Sequence, residues 1–282
     1  MTTVLEVKNL EKVYEKFTLG KLSFSLEKGK ITGFIGRNGA GKTTTIKSLI
    51  NLISSSGEIN FFGLDLKTHE AEIKKRIGYA VGGTAFYTHK KLNDVILATK
   101  PFYDNWDDET CEKYLKIFKL DKTKKIKELS EGMKVKFRLA LALSHSAELL
   151  ILDEPTSGLD PVSREELNEV FINLAKSGKT ILFSTHITED LDACADKILY
   201  IKKGKIIADC DYKDFIDNFV LVKLSADDDK SKFLGVCTTK DGFTGLIEKK
   251  DAELFAGYET EKPDVGKIMT HLEKDNAENG LN

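Results

Sequence analysis

The apolar positions of this chain follow two different periods, which predict strands and helices. Residues 5–10 and 22–26 alternate between apolar and polar side chains, as half-buried strands do. Residues 31–35 and 180–185 are apolar runs of strand length, and residues 149–152 are wholly aliphatic. A continuous aliphatic run is typical of a central parallel strand that is covered on both faces. The pattern therefore predicts an α/β fold that is built on a parallel sheet.

Helical spacing replaces the strand period in the region of residues 91–120. Leu92 and Ile96 belong to an apolar set that recurs at helical spacing, and Asp107 precedes a second helical run that it could cap. Because these helices lie between strands of the sheet, we expect an inserted helical subdomain over about residues 84–145.

Capping and turn signals set the other expected boundaries. Residues 163–166 have the Ser-x-x-Glu pattern of a capping box, and Gly178 is expected to follow the end of that helix. Residues 198–208 predict a hairpin. We therefore expect a main domain over residues 1–210, which opens with an antiparallel β subdomain. A small α+β appendage with a polar tail is expected over residues 211–282.

Composition narrows the classes of partner and compartment. The 282 residues include 43 Lys+Arg and 45 Asp+Glu, and the resulting net charge of −2 gives no basic field for nucleic acid. The four cysteines show no metal-binding or Cys-x-x-Cys spacing, which favours a reducing compartment. No signal-peptide pattern is present, and no apolar run approaches the roughly 18 residues of a membrane span. We expect a cytosolic, soluble chain that reaches a membrane only through a partner.

A glycine-rich loop follows the predicted strand at residues 31–35. Residues 36–43 match the spacing G-x-x-x-x-G-K-T, and a helical run follows. The glycines allow successive backbone N–H groups to point inward, and the helix start adds partial positive charge, so the loop is suited to phosphates. Lys42 would reach the β- and γ-phosphates of a nucleoside triphosphate, and the Thr43 hydroxyl would ligate Mg²⁺. The residues predicted to contact the nucleotide here are Gly36, Asn38, Gly39, Ala40, Gly41, Lys42, Thr43 and Thr44.

Acidic and imidazole side chains follow two of the predicted central strands. Asp153 and Glu154 end the aliphatic run, and His186 ends the next strand along the chain. Because ligands collect at the carboxyl ends of parallel strands, we expect these side chains to face the same crevice as the glycine loop. Asp153 is the candidate Mg²⁺ anchor, and Glu154 is the candidate residue to polarise the attacking water. His186 could hydrogen-bond the terminal phosphate.

The order of these motifs resembles the ATP-binding subunit of an ABC transporter, over about residues 3–209. The motifs are Tyr14, residues 36–43, residues 129–133, residues 149–154, residues 157–160 and His186. In family terms they are the A-loop, Walker A, the signature, Walker B, the D-loop and the switch histidine. The amino-acid sequences of the signature and of the segment that begins at the end of Walker B are similar to those of the ABC-2-type exporter branch. This branch includes antibiotic- and peptide-resistance ATPases.

The resemblance implies an ATPase that one chain cannot complete. In the family, two ATP-binding subunits pack head to tail, so that the signature of one closes over ATP held by the other. Mapped here, Ser130 and Gly132 would contact the γ-phosphate in the opposing subunit, Asp160 would lie at the shared interface, and Tyr14 would stack on adenine. The implied catalytic residues are Glu154, His186 and Lys42, with ATP and Mg²⁺ as ligands.

The resemblance also implies where the subunit works. It would lie at the inner face of the cell membrane, held there by a transmembrane permease, and it would pair with a second copy or a related ATP-binding subunit. No nucleic-acid partner is expected.

Two positions depart from the family pattern. The family normally has a glutamine that contacts Mg²⁺ shortly after the strand at residues 77–81; that place falls near Gly82, and residues 78–92 contain no glutamine. No side chain can therefore be assigned that role. Glu131 stands where a glycine is commonest, and we expect its carboxylate to point away from the phosphates.

Other functions fit the sequence less well. A soluble ABC ATPase acting on DNA or ribosomes would carry a long coiled coil or a second cassette, and this chain has neither pattern. A P-loop kinase would not explain the signature or the switch histidine. A weakly hydrolysing regulatory cassette is disfavoured by the presence of Glu154 and His186.

Overall fold

The structure is a computed structural model, and it describes residues 2–80, 87–240 and 242–274. The elements of its first part are β1 (Thr3–Val13), β2 (Thr18–Glu27), β3 (Ile31–Ile35), α1 (Lys42–Leu49), β4 (Ser56–Phe61), β5 (Leu64–Asp65), α2 (Glu70–Arg76) and β6 (Ile77–Ala80). Next along the chain come α3 (Leu92–Thr99), α4 (Asp108–Ile117), α5 (Glu131–Ser144), β7 (Leu149–Asp153), α6 (Pro161–Lys176), β8 (Thr180–Thr185), α7 (Thr188–Cys194) and β9 (Lys197–Lys202). The remaining elements are β10 (Lys205–Asp211), α8 (Tyr212–Asp217), β11 (Phe219–Leu224), β12 (Gly235–Thr239), β13 (Gly242–Glu248), β14 (Thr260–Glu261) and α9 (Val265–Glu273).

The central sheet places the chemically interesting strand ends side by side. Its order is β10-β9-β3-β8-β7-β6, and all neighbours pair in parallel except β9 with β10. Every residue of β3, β7 and β8 is buried, because helices and a second sheet cover both faces. The predicted α/β fold on a parallel sheet is confirmed, and the carboxyl ends of β3, β8 and β7 are neighbours.

An antiparallel sheet in the order β2-β1-β4-β5 packs on one face of the central sheet. Its inward side chains, such as Leu5 and Phe61, share a core with Phe34 of β3 and Ile46 of α1. The predicted antiparallel subdomain is therefore present, and its packing holds the β3–α1 connection from one side.

The helices α3, α4 and α5 lie between β6 and β7 in the chain, as the helical periodicity predicts. Asp107 caps α4 by accepting a hydrogen bond from the Glu109 amide at 2.9 Å, which confirms the predicted cap. Apolar side chains of this block, including Leu92 and Leu115, belong to the same core as Leu152 of the central sheet. The predicted start of the subdomain at residue 84 lies outside the described residues.

The C-terminal part forms a sheet in the order β12-β13-β11-β14, and α9 packs against it. Its Leu221 and Ile268 join the core that contains Tyr200 of β9. The hairpin of β9 and β10 is confirmed, and β10 continues to Asp211, one residue past the predicted boundary at 210. The domain limits themselves stay a prediction, and the predicted polar end of the tail, residues 275–282, lies outside the described residues.

The predicted capping box at residues 163–166 is wrong. Helix α6 begins earlier, at Pro161, and its cap is Asp160, whose carboxylate accepts hydrogen bonds from the Ser163 amide at 3.0 Å and the Ser163 hydroxyl at 2.6 Å. Proline at the first helical position needs no amide partner and has a suitable φ angle, so the helix starts there. Gly178 follows the helix end, as predicted.

In the part of the chain that the structure describes, no helix combines the length and apolarity needed to cross a membrane.

Candidate functional site

The glycine loop between β3 and α1 has a backbone that other residues could not adopt. Gly36 and Gly41 have φ angles of 154° and 118°. A Cβ atom at Gly36 would lie 2.3 Å from the Ile201 carbonyl oxygen, and one at Gly41 would lie 2.7 Å from Leu19 Cδ1. The close approach of strands β9 and β2 therefore requires glycine at both positions, and the loop leads directly into the start of α1.

Lys42 is the cation of this loop. Its side chain is 5% exposed, and the ammonium donates a hydrogen bond of 2.5 Å to the Gly36 carbonyl. The same nitrogen lies 3.4 Å from Glu154 Oε1. The loop thus folds around its own lysine, and the positive charge is held at the centre of the predicted phosphate site.

Thr43 and Asp153 lie side by side at the ends of α1 and β7. Thr43 Oγ1 is 3.3 Å from Asp153 Oδ1, and the Ser184 hydroxyl donates to the same carboxylate oxygen at 2.6 Å. A hydroxyl and a carboxylate are the oxygen donors that Mg²⁺ prefers, and a carboxylate that is 6% exposed benefits from a nearby cation. These residues fit a divalent ion.

Glu154 and His186 are brought together as the sequence predicts. His186 Nδ1 lies 2.7 Å from Glu154 Oε2. Glu154 has a φ of 50°, a left-handed conformation, and its amide is held by the Ser184 hydroxyl at 3.0 Å and the Ser184 carbonyl at 3.2 Å. This unusual backbone turns the carboxylate back towards the loop and its lysine, and Ser184 fixes it there.

An open cleft of about 740 Å³ lies over these groups. Of the residues predicted to bind or act on the nucleotide, those lining it are Tyr14, Asn38, Gly39, Gly41, Lys42, Thr43, Thr44, Glu154 and His186. Tyr14 is 43% exposed, and the Lys12 ammonium lies over its ring at 5.4 Å from the centroid. An exposed ring that lines the cleft suits stacking on a planar group. Gly36 and Ala40, which were also predicted to contact the nucleotide, do not line the cleft.

Sequence reasoning missed several residues here. Lys16 and Phe17 line the cleft and lie outside the predicted motifs. Arg37 and Ser157 also line it; they lie inside predicted motifs but were assigned no contact. Phe17 follows Tyr14 by three residues, and the Tyr14 amide donates to its carbonyl at 2.8 Å, so a second aromatic beside the predicted one was the available signal. No local signal marked Ser184, because its role depends on a contact across neighbouring strands.

Comparison with known proteins agrees with this geometry. Residues 19–157 match the family described as ABC transporter. The bacitracin transport ATP-binding protein of Bacillus licheniformis is 37% identical over 212 residues, which cover 73% of this chain and 69% of the relative. The chain belongs to the ABC transporter family of ATP-binding proteins. It is accordingly an ATPase, and it binds ATP with Mg²⁺ as the family does.

Other members of the ABC transporter family show the same relationship. The linearmycin resistance ATP-binding protein of Bacillus subtilis (strain 168) is 34% identical, with 73% of this chain and 68% of that protein covered. A solved structure described as the ATP-binding subunit of an ABC transporter superposes with a TM-score of 0.68 at 28% identity, and covers 75% of this chain and 91% of its own. The predicted resemblance is confirmed.

The ABC signature residues stand apart from the cleft. Ser130 caps α5 by accepting a hydrogen bond from the Met133 amide at 3.3 Å, and neither it, Gly132 nor Asp160 lines the cleft in the described structure. A Cβ atom at Gly132 would lie 3.1 Å from Leu159 Cδ2, so the start of α5 rests on the loop before α6. Hydrogen bonds from the Ser163 hydroxyl and amide lower the pKa of Asp160, which keeps this carboxylate ionised.

The two departures from the ABC pattern have different outcomes. Gly82, the position nearest the missing glutamine, lies outside the described residues, so the replacement stays unassigned. Glu131 Oε1 pairs with Lys134 Nζ at 2.6 Å on the same helix, and its side chain is exposed. The expectation that it points away from the phosphates remains a prediction.

Proposed function

We propose that this chain is one of two ATP-binding subunits that close around ATP and drive a separate transmembrane permease. The observation that carries the proposal is the division of the site. The phosphate loop, Glu154 and His186 share one cleft, whereas Ser130 lies at an exposed helix start outside it. Val162, close to Asp160, is 67% exposed, which leaves an apolar contact available to a second copy.

The proposed chemistry follows from the positions of the side chains. Lys42 and the loop amides would hold the phosphates, and Thr43 and Asp153 would hold Mg²⁺. When bound, Mg²⁺ supplies positive charge that offsets the charge developing on the phosphates. Glu154 would accept the proton of the water whose oxygen bonds to the γ-phosphorus as the bond to the bridging oxygen breaks. His186 would keep the Glu154 carboxylate turned towards that water.

A mixing experiment tests the divided site. Lys42→Ala disables the phosphate loop of a copy, and Ser130→Ala disables its signature. Each proposed site needs a loop from one copy and a signature from the other, so a pair made of one variant alone has no intact site. In a mixed pair, one site combines the intact loop of the second variant with the intact signature of the first. We expect an equal mixture to recover about a quarter of wild-type turnover, as random pairing gives.

The wild-type specific activity should also rise with protein concentration, because hydrolysis requires the pair. Absence of recovery on mixing, together with activity per molecule that does not depend on concentration, would exclude the shared site. The Ser130→Ala variant also loses a helix cap worth about 1 kcal/mol, so Ser130→Thr, which keeps a capping hydroxyl, serves as its control.

A groove beside the helices α3 and α5 is a candidate surface for binding the membrane partner. Its lining includes Tyr79, Tyr103 and His145, and the Tyr103 and His145 rings stack with their centroids 3.8 Å apart. Burial lowers the pKa of His145 to about 4, so this imidazole is neutral at physiological pH. Leu97 of α3 and Phe102, which lie within three residues of the groove-lining Thr99 in the sequence, are 60% and 74% exposed. Exposed apolar groups beside a groove are typical of a protein-binding surface.

We propose that the permease docks on this groove and that the transport direction is export. The latter rests on the names of relatives, which include bacitracin transport, linearmycin resistance and lantibiotic transport proteins. Phe102→Glu is expected to move the chain from the membrane fraction of its host to the supernatant, because a carboxylate cannot be buried in an apolar contact. The same variant should raise the sensitivity of the host to bacitracin.

Leu254→Glu is the matched control. Leu254 is 79% exposed in the C-terminal part, far along the chain from the groove, and a charge there should leave both readouts at wild-type values. A Phe102→Glu chain that stays in the membrane fraction would contradict docking at the groove. Unchanged bacitracin sensitivity would argue against export of this compound.

A further inference from the structure

A buried carboxylate that does not line the cleft is not explained by the binding of ATP. Asp190 of α7 is 0% exposed. The Thr156 hydroxyl donates to its Oδ2 at 2.6 Å, the Asn168 amide donates to its Oδ1 at 3.2 Å, and Arg164 Nε lies 3.8 Å from Oδ1. The Thr185 hydroxyl is 3.5 Å from Oδ2. We call these five residues the Asp190 cluster.

Two members of the Asp190 cluster come from the segments that carry the proposed catalytic groups. Thr156 lies two residues after Glu154, in the loop between β7 and α6. Thr185 directly precedes His186 at the end of β8. A single carboxylate thus bridges the chain next to the proposed base and the chain next to its imidazole partner.

The cluster could serve stability alone, since buried polar groups are normally hydrogen-bonded wherever they occur. The hydrogen bonds of the cluster indicate a more specific role. The short contact with Thr156 involves a charged acceptor, and such bonds are shorter and stronger than neutral ones. Among the described hydrogen bonds, none joins the cluster to residues 36–44. Thr185 does pair in the sheet with Ile35, which directly precedes the loop. A change at Thr156, which lies beside Glu154, should therefore reach the Glu154–His186 pair before it reaches the phosphate loop.

We propose that Asp190 is a positioning residue for hydrolysis, which holds the Glu154 loop against the end of the His186 strand. This inference rests on the proposed roles of Glu154 and His186. Its 2.6 Å contact with Thr156 fixes the loop. At the strand end, the Thr185 hydroxyl lies 3.5 Å from Asp190 Oδ2 and accepts a hydrogen bond of 2.9 Å from the Ile187 amide, next to His186. Together these contacts support the 2.7 Å approach of His186 Nδ1 to Glu154 Oε2. Catalysis is sensitive to such placement, because a shift of about 1 Å costs roughly 100-fold in rate.

The decisive variant is Thr156→Val, which removes the hydroxyl but keeps the shape of the side chain. We expect kcat to fall roughly 10- to 100-fold. The ATP dissociation constant should stay within about twofold of wild type, because the phosphate loop keeps its contacts. Thr156→Ser, which restores a hydroxyl, should recover most of kcat. A variant that merely loosened the fold would lose affinity and turnover together and would not be rescued selectively.

Asp190→Asn supplies the second measurement, with Asp192→Asn as its matched control. Asp192 lies on the same helix and accepts a hydrogen bond from Tyr212 instead, so its variant should keep wild-type kcat. Asp190→Asn should lower kcat, and combined with Thr156→Val it should lose little more than the worse single variant, because both changes break one contact. If Asp190→Asn does not fold, the two Thr156 variants decide alone.

Wild-type kcat in Thr156→Val, or equal losses of kcat and affinity, would overturn the positioning role. A failure of the underlying catalytic assignment looks different. In that case Glu154→Gln would turn over ATP normally, whatever the result at Thr156.

Discussion

Glu154→Gln is expected to lower ATP turnover roughly 10²- to 10⁴-fold, the usual contribution of a general base. Glutamine keeps the shape of glutamate but cannot take a proton from water. ATP affinity should stay close to wild type, since Lys42 and the loop amides are unchanged. Because ATP then persists at the shared site, the variant should elute as a pair on size-exclusion chromatography in ATP and as single chains without it.

Glu253→Gln is the control for this change. Glu253 is exposed in the C-terminal part, outside the cleft, so the same loss of charge there should leave turnover and elution unaltered. Turnover above about a tenth of wild type in Glu154→Gln would remove the residue from the role of base. If Glu154→Gln loses turnover but elutes as single chains in ATP, Glu154 keeps its role as the base, and the ATP-bound pair is contradicted.

Lys42→Ala is expected to weaken ATP binding by about 1.5–3 kcal/mol, or roughly 10- to 150-fold in Kd, because a charged hydrogen bond to phosphate is lost. Turnover should fall as well. The substitution would also remove two contacts within the protein. The ammonium donates a hydrogen bond to the Gly36 carbonyl and lies 3.4 Å from Glu154 Oε1. The measurement is a fluorescent-nucleotide titration in the presence of Mg²⁺.

Lys47→Ala provides the comparison for Lys42→Ala. Lys47 lies in the last turn of the same helix, α1, at the end away from the loop. Its removal should change Kd less than about twofold, because charge at that distance is screened by salt. An Lys42→Ala protein that binds ATP as tightly as wild type would show that the loop does not hold phosphate.

The sequence predicted the central strands best. The predicted strand at 180–185 coincides with β8, and the aliphatic run at 149–152 lies within β7. A strand that is buried on both faces has a continuous run of apolar residues, and such a run is not typical of turns. The start of α6 was misplaced, because Asp160 and Ser163 are both good caps and lie one helical turn apart. Only the proline after Asp160 favours one cap over the other, and the capping-box pattern does not take proline into account.

In the candidate site, residues inside motifs were predictable and residues that join motifs were not. Glu154 and His186 follow strand ends, and the rule for parallel sheets brings them together. Ser184 and Asp190 reach their partners across roughly thirty positions of sequence, and nothing local marks a serine in a strand or an aspartate in a helix for such a contact. Such residues become visible only when the tertiary packing is known.

The contact of Gly132 with Leu159 has a consequence for a pair of subunits. The start of α5, which would reach the nucleotide of the opposite copy, rests on the loop that runs back to Glu154 of its own copy. In the proposed pair, ATP binding at one site would therefore alter the position of the signature at the other. Linkage would make the effect reciprocal, so that occupancy of either site would shift the affinity of its counterpart by the same free energy.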